Sequence, residues 1–152
     1  MCASARELVA AARGQIRNLS VDDVAMWLET SAAVIVDIRE PDEVGRDGAI
    51  PGAIHAARGL LEFWADPECP QHRPEFDNAK PIILYSASGS RSALAALALE
   101  ALGYTDVGHL DGGLIAWREQ GRPITRAFAA GTEASTRNPI CRSMTTARSE
   151  GA

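Results

Sequence analysis

Residues 86–91, Ser-Ala-Ser-Gly-Ser-Arg, are where this 152-residue chain is equipped to do chemistry. An apolar run, 82–85, enters the loop, and an Ala/Leu-rich helical segment, 90–101, leaves it. A strand that empties into a small, glycine-containing loop at a helix N-terminus aims several backbone N–H groups into one bowl, with the positive end of the helix dipole behind them. Such a bowl holds an anion, or lowers the pKa of a thiol at its centre. The amides of Ala87, Ser88, Gly89, Ser90 and Arg91 are the donors expected to converge on Ser86. Small side chains keep the bowl open, and Gly89 accepts backbone angles closed to other residues. The hydroxyl of Ser86 is itself a weak nucleophile, because an alkoxide is far less accessible than a thiolate and the loop holds no adjacent histidine to act as base.

The flanking sequence must position this loop. Residues 4–13 have helix propensity and stop at Gly14. Residues 16–19 read as a short edge strand. Ser20 is an N-cap, with Asp23 at the capping-box position and Leu19 and Val24 placed as a hydrophobic staple. Trp27 shares a helical face with Val24 and Leu28 and reads as core. The β-branched run 33–38 is of the kind buried on both faces of a parallel sheet. There follow a short acidic helical turn over 40–47, a tight turn at Pro51 and Gly52, a strand over 53–56 and a helix over 59–64. Residues 65–79, with three prolines, form the least regular part, and such segments are often functional or mobile. Past the loop helix, ended by Gly103, come a strand over 107–110, then Asp111, Gly112 and Gly113, and a last helix closed by Gly121 and Pro123.

Strands and helices alternating at this spacing predict a three-layer α/β domain with a central, mostly parallel five-stranded sheet. Sites in such sheets lie at the carboxyl ends of strands, where Ser86 falls. The expected organisation is an N-terminal helix in 1–14, one domain over 15–125 and a flexible tail over 126–152, which lacks periodicity and is rich in Ser, Thr, Ala and Gly.

An apolar content of 46% suits a single buried core. Formal charge is −5, and residues 1–125, with 11 basic and 18 acidic side chains, are the acidic part. That balance argues against nucleic acid or an anionic membrane as partner. No apolar run is long enough to span a bilayer and no signal-peptide pattern is visible, so a cytoplasmic location is expected. Cys2, Cys69 and Cys141 are odd in number and scattered, which suggests neither a disulfide framework nor a zinc site. No metal or cofactor is expected. Cys69 reads as an incidental thiol or, alternatively, as a redox or resolving thiol near the loop.

The loop with its strand and helix, Val-Asp-Ile-Arg-Glu at 36–40 and Gly-Ala-Ile-Pro-Gly-Ala-Ile-His-Ala-Ala-Arg-Gly at 48–59 together resemble the rhodanese-like sulfurtransferase domain. The resemblance runs in order over residues 15–125. In that family the loop opens with a cysteine that carries a persulfide, so the resemblance implies that Ser86 occupies the sulfur-carrying position. It implies transfer of sulfane sulfur from a small anionic donor, thiosulfate or a persulfide, to a thiol or cyanide acceptor. Oxygen cannot accept sulfane sulfur to give that intermediate, so the chain as written is expected to be inactive. The serine is either a replacement of cysteine or the native residue of a non-catalytic module that binds a small anion or a protein partner. Related cell-cycle dual-specificity phosphatases have a loop one residue longer, which disfavours phosphate-ester hydrolysis here.

The remaining candidates each have two readings. Arg91 either meets an anion or braces the loop, as rhodanese-like domains commonly use it, with Asp37 as the expected partner. Arg39 is expected to pair with Asp or Glu. Arg58 either steers an anion at the pocket mouth or is a solvated surface side chain. His55 reads as a hydrogen-bonded structural residue, His109 as one that ends the last strand and could line the mouth, and His72 as uninformative. Trp64 and Trp117 are expected in the core or the pocket wall. Ala49 stands where many family members have histidine.

Overall fold

The computed structural model describes residues 2–126, so apart from Arg126 the predicted tail lies outside the described residues. Six helices surround one sheet. In chain order these are α1 (Ala5–Arg13), β1 (Arg17–Leu19), α2 (Val21–Glu29), β2 (Val34–Asp37), α3 (Pro41–Asp47), β3 (Ile54–His55), a 3₁₀ turn (Arg58–Leu60), α4 (Leu61–Ala65), β4 (Ile82–Tyr85), α5 (Ser90–Ala101), β5 (Val107–Leu110) and α6 (Gly113–Glu119). The sheet runs β1-β5-β4-β2-β3, and all four pairings are parallel. The three-layer expectation holds, with a sheet that is wholly parallel.

Local sequence explains where the helices begin. Ser20 accepts from the Asp23 amide while the Asp23 carboxylate accepts from the Ser20 amide, closing the expected capping box. The same reciprocal pair, Ser4 with Glu7, starts α1 and was not among the sequence expectations. Residues 59–64, expected as one helix, divide into the 3₁₀ turn and α4. Past Ala65, the last residue of α4, the irregular segment contains no helix or strand, but Tyr104 ties it down by donating to the carbonyls of Ala65 at 2.6 Å and Phe76 at 3.2 Å.

Period-2 alternation divides the sheet residues between two cores. Val36, Ile38, Ile82, Leu84 and Val107 pack with α1, α4 and α5 on one side. Ile35, Ile83, Tyr85, Leu19 and Leu110 pack with α2 and α6 on the other. Trp117 is core, with its indole N–H donating to Pro123 O, whereas Trp27 and Trp64 are half-buried under the guanidinium groups of Arg17 and Arg73. β4 occupies the middle of the sheet, and its carboxyl end opens onto Ser86.

Candidate active site

The loop is held from behind. Its first two carbonyls, those of Ser86 and Ala87, accept from the amides of Leu114 and Ile115 in the first turn of α6 at 2.9 and 3.0 Å. Gly113 permits that approach: its φ is +60°, and a Cβ there would lie 2.5 Å from both carbonyl oxygens. Gly89 caps α5 with φ +94°, as expected for its place in the bend.

From the other side, Nη1 and Nη2 of Arg91 each donate to the Glu43 carboxylate of α3 at 2.7 Å. This corrects the expected Arg91–Asp37 pair. Asp37 is fully buried and taken by Arg39, at 3.0 and 2.6 Å, and by the hydroxyl of Tyr85, at 2.7 Å. Arg39 thus pairs as expected. It also donates to Gly48 O at 2.6 Å, while the Ile50 amide donates to the Tyr85 hydroxyl. One buried network thereby joins β2, β4 and the turn that precedes β3.

Arg91 holds the Glu43 carboxyl down to about 2, from an ordinary 4.5. A carboxyl whose folded pKa is depressed contributes stability that is full above its unfolded pKa and fades as pH falls through the folded one. Arg91 is 39% and Glu43 18% exposed at the side chain, so screening limits the pair. Glu43→Gln is expected to cost about 1 kcal/mol at neutral pH. Denaturant unfolding across pH should show that difference shrinking between 4.5 and 2.

Ser86 itself is 0% exposed, which corrects the expectation of an open bowl around an accessible side chain. The cradle is also narrower than expected. Among the described residues, the amides that reach Ser86 Oγ are those of Gly89 at 3.3 Å and Ser92 at 3.2 Å. Ser92 was not an expected donor. The amides of Ala87, Ser88, Ser90 and Arg91 donate to no other group among the described residues, so they remain available to an anion. Ser88 is exposed at the rim.

His109 does not line a mouth. It is fully buried behind Ser86, with Nδ1 2.9 Å from Ser92 Oγ and Nε2 2.8 Å from Asn18 Oδ1. Burial pushes its imidazole below the usual value, Asp111 opposes that shift and Arg13 adds to it. Ser92, Asn18 and Arg13 are the neighbours that sequence reasoning missed. Arg13 Nη2 would lie 3.4 Å from a Cβ on Gly89 and sits 3.5 Å from Asp111 Oδ1. Arg58 is bonded to Glu62 rather than standing free. Arginines 13, 58 and 91 are therefore each matched with a carboxylate.

The other candidates make contacts within the fold. His55 Nε2 lies 2.7 Å from Arg39 O and His72 Nε2 3.2 Å from Phe76 O. Ala49 exchanges two 2.8 Å backbone bonds with Thr125. Cys69 is a half-buried free thiol whose backbone closes turns with Asp66 and His72. Among the described residues, no group of three or more His, Cys, Asp or Glu side chains is placed to hold a metal, and no helix is long and apolar enough to cross a membrane.

A parallel α/β sheet whose middle strand ends in a small-residue loop, clamped between two helices, places that loop at the carboxyl end of the sheet, where sites in such folds lie. The chain belongs to the family of rhodanese-like domains, whose profile matches residues 20–120. It is 34% identical over 96 residues to a sulfurtransferase of Allochromatium vinosum, a match that spans 63% of this chain and 81% of that protein. Among solved structures, a protein of unknown function from Rhodopseudomonas palustris, described as a possible tyrosine phosphatase, superposes with a TM-score of 0.78 at 40% identity, covering 82% of this chain and 96% of that one. The polysulfide-sulfur transferase of Wolinella succinogenes superposes with a TM-score of 0.64 at 26% identity, covering 84% and 90%.

Proposed function

We propose that this chain is a sulfurtransferase scaffold in which position 86 is the sulfur carrier, and that with Ser86 in place it does not turn over. The observation that carries the reading is the set of unengaged loop amides grouped at the N-terminus of α5. A cysteine at that position would be a thiolate under the pull of those amides and the helix dipole. The thiolate would attack the outer sulfur of thiosulfate. As the new S–S bond formed, the old one would break, and sulfite would leave with its electron pair. The four amides would then share the charge on the terminal sulfur, until a thiol or cyanide took that sulfur away.

A second reading, a non-catalytic module, draws support from a different observation. The Ser86 hydroxyl is sealed, with its hydrogen-bonding capacity used inside the protein. Phosphate-ester hydrolysis, suggested by the description of the Rhodopseudomonas relative, is disfavoured by the short loop.

Mass spectrometry after thiosulfate treatment separates these readings. Ser86→Cys is expected to gain one sulfur on the new thiol, with no adduct on the Ser86 chain. A Ser86→Cys form whose new thiol stays unmodified would leave the non-catalytic module standing. Faster turnover of an aryl phosphate than of thiosulfate by the cysteine form would favour the phosphatase.

A further inference from the structure

We propose that Ser92 and His109 form a proton-accepting relay for the side chain at position 86, with Asn18 fixing the direction in which protons move. This inference rests on the reading of position 86 as the sulfur carrier, and it adds residues that the amide cradle does not require.

The hydrogen bonds permit one proton arrangement. Asn18 donates through Nδ2 to the carbonyls of Arg13 at 2.9 Å and Ile16 at 3.2 Å, so its Oδ1 is the atom that faces His109. His109 Nε2 must therefore carry a hydrogen. In the neutral ring Nδ1 is then a bare acceptor, and the hydroxyl 2.9 Å from it, that of Ser92, donates to it. With its hydrogen spent, Ser92 Oγ accepts from Ser86 Oγ at 3.3 Å. Ser86 Oγ in turn accepts from the amides of Gly89 and Ser92. Both hydroxyl hydrogens, those of Ser86 and Ser92, thus point along the chain toward an imidazole nitrogen that carries no proton.

The fold places these groups together by register. His109 of β5 is opposite Asn18 of β1 in the parallel ladder, and Ser92 is in the first turn of α5 above them. The charged groups facing His109 are Arg13, from the end of α1, and Asp111, just beyond β5. They oppose one another, and they are themselves paired at 3.5 Å. The α5 residue facing the ring is Ser92 and the β1 residue is Asn18, both uncharged. An imidazolium formed here would therefore find its counter-charge at position 86.

With cysteine at 86, the thiol proton passes to Ser92 Oγ as the Ser92 hydrogen passes to His109 Nδ1. The products are a thiolate and an imidazolium, with no net change in protons and no further reactant. His109 and Ser92 act through the carrier and do not touch the transferred sulfur, so they are positioning residues in the sense that they set its protonation.

The test is a titration of Ser86→Cys, following thiolate absorbance as the difference from the Ser86 chain, which cancels Cys2, Cys69 and Cys141. Nitrogen-15 shifts of the His109 ring are recorded in parallel. In the Ser86 chain the ring is expected to be neutral at neutral pH. In Ser86→Cys it is expected to hold both protons wherever the thiolate is present, the two groups titrating as a coupled pair. His109→Gln or Ser92→Ala added to Ser86→Cys should raise the thiol titration by about 1–2 pH units, as loss of a nearby opposite charge does. Ser92→Thr, which keeps the hydroxyl, should restore it.

A ring that stays neutral while the thiolate forms overturns the relay, as does a His109→Gln form that titrates with its parent. If the double variants do not fold, the ring shifts in Ser86→Cys decide alone. A low-titrating thiol with a protonated ring and no sulfur uptake would uphold the relay and defeat the sulfur-transfer reading. Uptake with a neutral ring would do the reverse.

Discussion

Replacing Asp37 with alanine is expected to cost about 3–5 kcal/mol, enough to unfold much of a domain of this size at room temperature. Asp37 and Arg39 are 0% and 1% exposed at the side chain, so solvent cannot take over when the carboxylate is removed. Arg39 would keep its bond to Gly48 O but lose its counter-charge, and the Tyr85 hydroxyl would lose the acceptor 2.7 Å away. The size of the effect comes from a stranded cation, not from the intrinsic worth of the ion pair. Asp37→Ala combined with Arg39→Met, which removes the cation too, is therefore expected to be less damaging than Asp37→Ala alone. Urea unfolding of the two variants beside the parent measures this directly. A double variant no better than the single one would place the cost in lost packing instead.

Gly113→Ala is expected to be the most damaging single methyl group in the molecule. A φ of +60° costs a non-glycine residue about 1–3 kcal/mol. The added Cβ would also lie 2.5 Å from the carbonyl oxygens of Ser86 and Ala87 and 2.6 Å from the Ala87 carbonyl carbon, backbone atoms that cannot swing aside. Relief of that overlap costs about 1–3 kcal/mol more. The strain also has a direction, because the Leu114 and Ile115 amides can no longer hold the back of the loop in place. In the Ser86→Cys background, sulfur uptake is expected to slow on the order of 100-fold, the penalty typical of a reacting group displaced by about an ångström. Thermal unfolding and uptake kinetics on the same samples measure the two effects. Uptake at the parental rate in a destabilised protein would mean that α6 supports the fold without aligning the loop.

Sequence reveals local features of this molecule and conceals those that depend on how distant elements pack. Ser20, Asp23 and the 33–38 run were readable because caps and β-branched runs act within a few residues. The partner of Arg91 was not readable. Asp37 and Glu43 are both acids near the right strand end, and only the packing of α3 over the loop selects Glu43. His109 was misplaced for a related reason. All four residues of β5 are buried, so burial along the strand gives no clue to which side the histidine serves. The available signal was parity: a residue two positions from Val107 shares its face, and that face is the one covered by α1 and α5. The sealed state of Ser86 was hidden as well, since small loop residues suggest openness while three-dimensional packing decides it.

The order of strands in the sheet also bears on the time at which this site comes into being. β1 lies at the start of the chain but pairs with β5, its ladder joining Asn18 to His109 across most of the described sequence. Pairings between segments so far apart along a chain are slow, because a large loop must close before any contact is gained. During synthesis β2, β3 and β4 leave the ribosome well before the partner of β1 exists. The hydrogen bond between Asn18 and His109 therefore needs both ends of the described chain, and a nascent or truncated chain lacking β5 would carry the loop sequence without its rear support.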